Sequence, residues 1–382
     1  MKQLYKNKID PVLLNSINIK SSSSIKIIVL ADDYMKLKDD LLSSHVHIVK
    51  NLPFINAYVI EVKRSLIPHL AEMRQINYIC SDVKASTQMN IASKVIGADK
   101  LHRKGLTGKN LGVAIIDTGL YPHPDFTRPR SRIWRFIDLV NGKQYPYDDN
   151  GHGTFVTGVV AGNGYKSRGL YKGIAPKANI FSFKTMDKDG GGDGSAILEA
   201  MQYVTDHHKD LNIKVVSMSL GAIAGSKQSD ILSKGAQALW NEGIFVVAAA
   251  GNSGPGKSTI TTPGINPNIM TVGASDDNRT VTMKDDKVAD FSSRGPANSR
   301  ILKPEIVAPG VNITSTNNSL QPAYKVMSGT SVATPVVAGA ALLYYEAYKD
   351  ITPDRIKMLI MKNAVDLKED KYAQGKGSIM LL

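Results

Sequence analysis

Between residues 111 and 250 the chain alternates short apolar runs with longer half-polar ones. Leu111 to Ile116, Asn179 to Lys184, Val215 to Leu220 and Ile244 to Ala250 read as strands. Ser195 to His208 and Ser229 to Trp240 read as helices. Strands apolar on both faces suit a parallel sheet covered by helices on each side. The alternation therefore predicts an α/β fold with a doubly wound, mostly parallel sheet. In such sheets functional groups gather just beyond the carboxyl ends of strands. The segments to inspect are thus Asp117-Thr118-Gly119, Gly190-Gly191-Gly192, Ser219-Leu220-Gly221 and Ala249-Ala250-Gly251-Asn252.

Three positions carry potential chemistry. Asp117 closes the first apolar strand, where an isolated aspartate would cap a turn. His152 lies in Asn150-Gly151-His152-Gly153-Thr154. Its flanking glycines let a neighbouring backbone or a substrate pass close to the imidazole, and neutral histidine is the natural general base near pH 7. Ser331 lies in Ser328-Gly329-Thr330-Ser331, ahead of an apolar helix read from Val336 to Tyr348. A helix N-terminus favours negative charge, as a serine nucleophile needs when an oxyanion forms beside it. A lone serine there would read as an N-cap.

Composition excludes several classes. The 382 residues are 42% apolar and 21% charged, ordinary globular material. A single cysteine, Cys80, excludes an internal disulfide framework and suits a reducing compartment, so a cytoplasmic location is expected. No segment reads as a secretory signal and no apolar run reaches a membrane span, so no membrane partner is expected. The net charge is +13, but the basic residues are scattered. The densest run, Arg128 to Arg135, is short and lacks interleaved stacking residues, so no nucleic-acid partner is expected. Gly251 to Ser258 matches the phosphate-loop pattern G-x-x-x-x-G-K-[ST]. Such a loop must open a helix, whereas Thr259 to Asn268 carries Pro263, Gly264 and Pro267.

The first 87 residues read differently. Residues 1–24 form a polar tail. Strands at Ile25 to Leu30, Val46 to Lys50, Ile55 to Val62 and Ile76 to Cys80, with helices at Tyr34 to Leu42 and Leu66 to Met73, give the order βαββαβ. This predicts a small α+β, ferredoxin-like domain over 25–87. Asp82 to Asn90 reads as an extended linker, and 88–382 as the large domain.

The order Asp117, His152, Ser331, with the residues flanking each, resembles the subtilase family of serine endopeptidases. The resemblance runs from about Ala92 to Leu382. It includes Ser217 to Gly221, Ala250 to Gly254, Phe291 to Pro296 and Lys303 to Gly310. The absence of a leader and of a C-terminal extension looks like the family's intracellular, AprX-like branch.

The resemblance implies a subtilisin-like fold and a serine endopeptidase acting on polypeptides through an acyl-enzyme. Ser331 would attack, His152 would carry the proton, Asp117 would orient the imidazole, and Asn252 would hold the oxyanion. Gly190, Gly191 and Gly192 with Ser219, Leu220 and Gly221 would flank the substrate backbone. Ala249, Ala250 and Gly251 would wall the pocket for the residue before the cut. The small domain would be an inhibitory propeptide, a partner in cis, and the chain a self-inhibited precursor. The alternative is a catalytically silent subtilase-fold protein that only binds peptides. Many relatives hold calcium at the loop matching Asn163 to Gly169. Here that loop carries Lys166 and Arg168, and calcium needs six to eight oxygens. No metal ligand is therefore assigned and no cofactor is required for the chemistry; structural calcium stays open, though this loop does not support it.

Overall fold

The computed structural model describes residues 7–10, 13–14, 24–44, 46–81, 88–222, 230–296 and 301–381. The chain divides into two compact units, Met1–Ala85 and Ser86–Leu382.

The first unit runs β1 (Ser24–Ala31), α1 (Tyr34–Ser43), β2 (His47–Leu52), β3 (Ala57–Lys63), α2 (Ile67–Glu72) and β4 (Ile76–Ser81). Its antiparallel sheet has the order β2-β3-β1-β4, the arrangement of a split βαβ unit. Period-two alternation sets the faces: Ile27, Val29 and Ala31 are buried while Lys26 is exposed. Asp33 caps α1 by accepting from the Lys36 N–H at 3.1 Å, and Leu37 and Leu41 enter the core. One reading needs correction. Residues 1–24 are not simply a tail, because Ile9 and Leu13 are buried in this same core and Ile9 bridges to Ile79. Ile9 and Leu13 lie among Lys, Asn and Ser in a stretch too short to read as an element, so only packing shows their place.

The second unit begins with α3 (Gln88–Val95) and α4 (Ala98–Arg103). The linker expected at 82–90 is therefore helical from Gln88 onward, and 82–87 lie outside the described residues. The sheet is built from β5 (Gly112–Asp117), β6 (Ile133–Asp138), β7 (Asn179–Lys184), β8 (Ile213–Met218), β9 (Phe245–Ala249), β10 (Met270–Asp276), β11 (Lys287–Val288) and β12 (Ile306–Pro309). Among the described residues it is eight-stranded, in the order β11-β10-β9-β8-β5-β7-β6 with β12 also on β10. Every pairing is parallel except β10 with β11. Helices α5 (Pro124–Thr127), α6 (His152–Ala161), α7 (Gly194–His207) and α8 (Ile231–Asn241) alternate with the strands. A hairpin, β13 (Ile313–Thr316) with β14 (Tyr324–Met327), leads into α9 (Thr330–Ala347), and α10 (Pro353–Asn363) and α11 (Lys371–Gln374) close the unit.

All six residues of β5 are buried. Each fully buried Val or Ile there contributes about 1.5–3 kcal/mol, so this central strand anchors the sheet. It is flanked by β7 on one side and β8 on the other. After β7 the chain crosses to the opposite side of β5, which makes the carboxyl end of β5 the topological switch point. Asp117 stands there.

Candidate active site

Four strand ends converge on one region. Asp117 ends β5, the glycines 190–192 follow β7, Ser219 to Gly221 follow β8, and Asn252 follows β9. Asp117 is 1% exposed. Its Oδ1 accepts the Thr118 N–H at 2.8 Å and lies 2.7 Å from His152 Nδ1. This contact leaves His152 Nε2 as the ring atom able to serve another group. Burial disfavours the imidazolium, but the charge of Asp117, its hydrogen bond and the nearby Asp148 outweigh that, with Lys325 opposing. The net effect raises His152 above its ordinary value.

The histidine is held by a carboxylate that sequence reading missed. Asp148 is buried, and its Oδ1 accepts from Thr118 Oγ1 at 2.9 Å and the Gly151 N–H at 2.7 Å. Its Oδ2 accepts from the Thr154 N–H at 2.8 Å and Thr154 Oγ1 at 2.7 Å. Asp148 thus caps α6 from outside the helix. The helix consequently starts at His152 itself, ahead of the apolar pair Phe155-Val156. Gly151 enables the turn with φ 96°. A side chain there would strike Asn318 and Lys325 Nζ at 2.7–2.8 Å. The one available signal was Asp four residues before the histidine, which reads equally well as an ordinary turn residue.

Ser331 is the second residue of α9, which starts six residues before the apolar run suggested. The cap again comes from elsewhere in the chain. Asn252 Oδ1 accepts from the Thr330 N–H at 2.9 Å and from Thr330 Oγ1 at 3.1 Å. Thr330 Oγ1 in turn accepts from the Gly251 N–H at 3.1 Å. With its oxygen so engaged, Asn252 must present Nδ2 as a donor. Pro335 therefore falls inside the helix, where its missing N–H leaves the Ser331 carbonyl without a helical donor.

The space above Gly329 is where these groups meet. A methyl group on Gly329 would lie 3.0 Å from Ser331 Oγ, 3.6 Å from Asn252 Nδ2 and 3.7 Å from the Ser331 amide nitrogen. A hydroxyl, a side-chain amide and a first-turn N–H thus border one small volume. A tetrahedral oxyanion formed on Ser331 would find two donors there.

The glycine segments share a cavity of about 420 Å³, lined by Gly190, Gly191, Gly192, Leu220, Gly221 and Thr262 among others. Two of these glycines are required sterically: a methyl on Gly192 would lie 2.3 Å from the Thr185 carbonyl, and one on Gly221 would lie 2.3 Å from Thr261 Oγ1. Ser219 is buried behind Leu220. Ala249 and Ala250 are also buried and lie outside that cavity's lining, while Gly251 is half-buried. Asp230, not anticipated, lines the cavity too, with its carboxylate taken by Thr262 Oγ1 at 2.6 and 2.7 Å and the Ser233 N–H at 3.0 Å. Lys184 is a third missed residue. It is fully buried at the end of β7, opposite Asp117 in register, and donates to the Thr118 carbonyl and Asp149, both at 2.7 Å.

The phosphate-loop pattern has no helix after it. Its amides are occupied, Gly254 N–H on the Phe291 carbonyl at 2.9 Å and Ser258 N–H on that of Gly295 at 3.3 Å. The loop 163–169 carries the cations Lys166 and Arg168. The nearby buried carboxylate, Asp125, already accepts from the Lys166 N–H at 2.9 Å and from the Tyr324 hydroxyl at 2.9 and 3.1 Å. Among the described residues no group of three His, Cys, Asp or Glu is placed to hold a metal. No helix among them is long and apolar enough to cross a membrane.

A parallel α/β sheet with a hydrogen-bonded Asp–His pair at its switch point, and a serine in the first turn of a helix beside Asn252, fits the class of serine hydrolases. Residues 108–377 match the model of the Subtilase family. Serine protease AprX of Bacillus subtilis (strain 168) is 42% identical over 337 residues, covering 82% of this chain and 75% of that protein. Subtilisin DY of Bacillus licheniformis is 35% identical over 288 residues, covering 75% and 94%. Two solved structures are similar: S41 psychrophilic protease (TM-score 0.66, 28% identity) and sphericase (TM-score 0.65, 29% identity). Each covers 78% of this chain and is itself covered in full. The chain belongs to the subtilase family and is a subtilisin-like serine protease.

Proposed function

We propose that the chain is a serine endopeptidase working through a Ser331–His152–Asp117 triad and an acyl-enzyme. His152 takes the Ser331 proton as Oγ attacks the scissile carbonyl and later gives it to the leaving amine. Asp117 fixes the ring and stabilises its protonated form. Asn252 Nδ2 and the Ser331 N–H receive the oxyanion, and the segments at 190–192 and 219–221 flank the substrate backbone as added strands. The 2.7 Å contact between His152 Nδ1 and Asp117 carries the reading. A peptide-binding protein without turnover has no need to polarise a histidine that way. The first unit would act as an inhibitor in cis. The single cysteine suits a cytoplasmic setting. No step requires a metal or cofactor.

A fluorophosphonate probe on the purified protein, after removal of the first unit, tests this. Labelling should fall on Ser331 and vanish in Ser331→Ala. Peptide binding with neither labelling nor hydrolysis would instead establish the silent alternative. Asn252→Ala should lower kcat by about 10²–10³ with little change in KM, a magnitude taken from the oxyanion asparagine of a subtilisin rather than from this geometry. Loss confined to KM would contradict the role.

A further inference from the structure

The basic run Arg128 to Arg135 takes no part in the chemistry above, yet it is not simply solvated. Arg130, Arg132 and Trp134 line a cavity of about 410 Å³ together with Lys109 and Lys177. No aspartate or glutamate lines it. The three loops that meet there precede β5, β6 and β7. These strands are parallel, so the cavity lies at their amino ends, opposite Asp117. Six-residue β5 separates the two ends by about 20 Å. The cavity is therefore distinct from the catalytic cleft.

Among the described residues none of Lys109, Arg130, Arg132 and Lys177 forms an ion pair with a carboxylate. Lys109, Arg130 and Lys177 are exposed. Arg132 is fixed at the wall, its two terminal nitrogens donating to the main-chain carbonyls of Ala178 and Asp125. Its Nε is buried with no acceptor. Burial pulls this guanidinium down to about 10, against the opposing effect of the Asp125 charge. Trp134 is 51% exposed and offers the cavity an apolar wall.

We infer that this cavity is an exosite for an acidic stretch of the polypeptide substrate. The inference rests on the protease reading. The cations come from three separate loops, and no helix begins at the lining. There is thus no cradle of converging N–H groups of the kind that seizes a single phosphate. Spread cations suit several carboxylates along a chain. Trp134 is the only aromatic residue in the lining, whereas single-stranded nucleic acid needs a succession of stacking surfaces. A substrate held here would present its remaining length to the cleft at raised effective concentration. Only a substrate long enough to span both sites gains.

The experiment compares two peptides sharing one cleavable core and a 20-residue Gly/Ser linker, whose end-to-end distance is about 25 Å. One ends in six glutamates and the other in six glutamines. The wild-type chain should cleave the glutamate peptide with a kcat/KM at least about fivefold higher at low salt. That ratio should fall toward one at high salt, as screening predicts. In Lys109→Glu/Arg130→Glu/Lys177→Glu the ratio should drop to one or below, with the isolated core cleaved as before. A ratio of one in the wild type, or a preference surviving in the variant, overturns the exosite. If the charge-reversed chain loses the core reaction as well, the corresponding triple glutamine variant replaces it. If the wild type cleaves no core peptide, it is the protease reading that fails. The exosite is then decided by fluorescence anisotropy of the labelled glutamate peptide on the Ser331→Ala chain, where no salt-sensitive binding overturns it. Tighter binding of an oligonucleotide of equal charge would overturn the acidic-polypeptide assignment.

Discussion

His152 shows how three charged neighbours set one proton's affinity. Burial works against the imidazolium, Asp117 and Asp148 favour it, and Lys325 opposes it, with a net rise above 6.5. The proton-accepting form is the neutral ring, so activity rises as pH climbs through that raised value. The acid limb of kcat/KM should therefore have an apparent pKa above 6.5. Lys325 Nζ sits against the Gly151 backbone next to this histidine and is itself lowered by burial. Lys325→Met removes the opposing cation and should move the acid limb to higher pH, by roughly half a unit for a charge acting through a partly solvated path. Lys325→Arg should restore the limb. A pH–rate series checks both, and a limb that moves downward would refute the assignment. Asp117, His152, Ser331 and Asn252 could be singled out because together, in that order and with those flanks, they match a family pattern, whereas each alone reads as a turn or cap residue. Asp148 and Lys184 could not, because an aspartate in a turn and a lysine at a strand end look ordinary until burial is known.

At the scale of elements, the strands that were read lie within about two residues of the observed ones, β6 and β10 to β14 were not read, and two helix starts were placed late. Asn179–Lys184 has the same bounds in sequence and structure, since a run apolar on both faces has one comfortable place, inside a covered parallel sheet. Helices α6 and α9 both start earlier than their apolar runs, because Asp148 and Asn252 supply the caps from distant loops. Tertiary caps leave no local sequence signature. The hairpin β13–β14 is tied to α6 in the same non-local way. Ser315 Oγ donates to the Phe155 carbonyl and Thr316 Oγ1 to that of Thr154, both at 2.8 Å. Gly158 leaves room for this contact, as a methyl there would lie 2.2 Å from Thr316 Oγ1 and 2.3 Å from Ser315 Oγ. Gly158→Ala must push the hairpin off the helix. Overpacking of this kind costs about 1–3 kcal/mol. The hairpin leads directly to Ser331, so kcat should fall together with Tm. Thermal melts and initial rates on the same preparation check this. A stable variant with full activity would mean that the hairpin does not hold the nucleophile loop.

Two consequences belong to the whole chain. Asp286 is buried with both carboxylate oxygens unpartnered, beside buried Asp277. Burial and then Asp277 push Asp286 from 3.8 to about 7. The folded chain therefore holds this proton more tightly than the unfolded one, and stability falls as pH rises from about 4 to about 7. Asp286→Asn mimics the protonated form. It should raise Tm by roughly a few degrees at pH 8 and much less at pH 5, as paired melting curves would show; a gain at pH 5 equal to that at pH 8 would exclude the linkage. The last expectation concerns the two units. The first has its own sheet and core, which a mere extension would not need. Joined covalently to the protease unit, an inhibitory domain acts at an effective concentration set by the tether, so even weak affinity suffices. If it is such an inhibitor, freeing the enzyme requires a cut between Ser81 and Gln88, since β4 ends at the former and α3 starts at the latter. Folded elements resist proteolysis unless they open. Wild type should split into a small fragment carrying Cys80 and a cysteine-free large one, while Ser331→Ala accumulates as the full chain. Intact-mass spectrometry after thiol labelling distinguishes these products. A fully active wild type that stays uncut would make the first unit a permanent domain. Equal cutting of Ser331→Ala in a protease-deficient host would assign the processing to another enzyme.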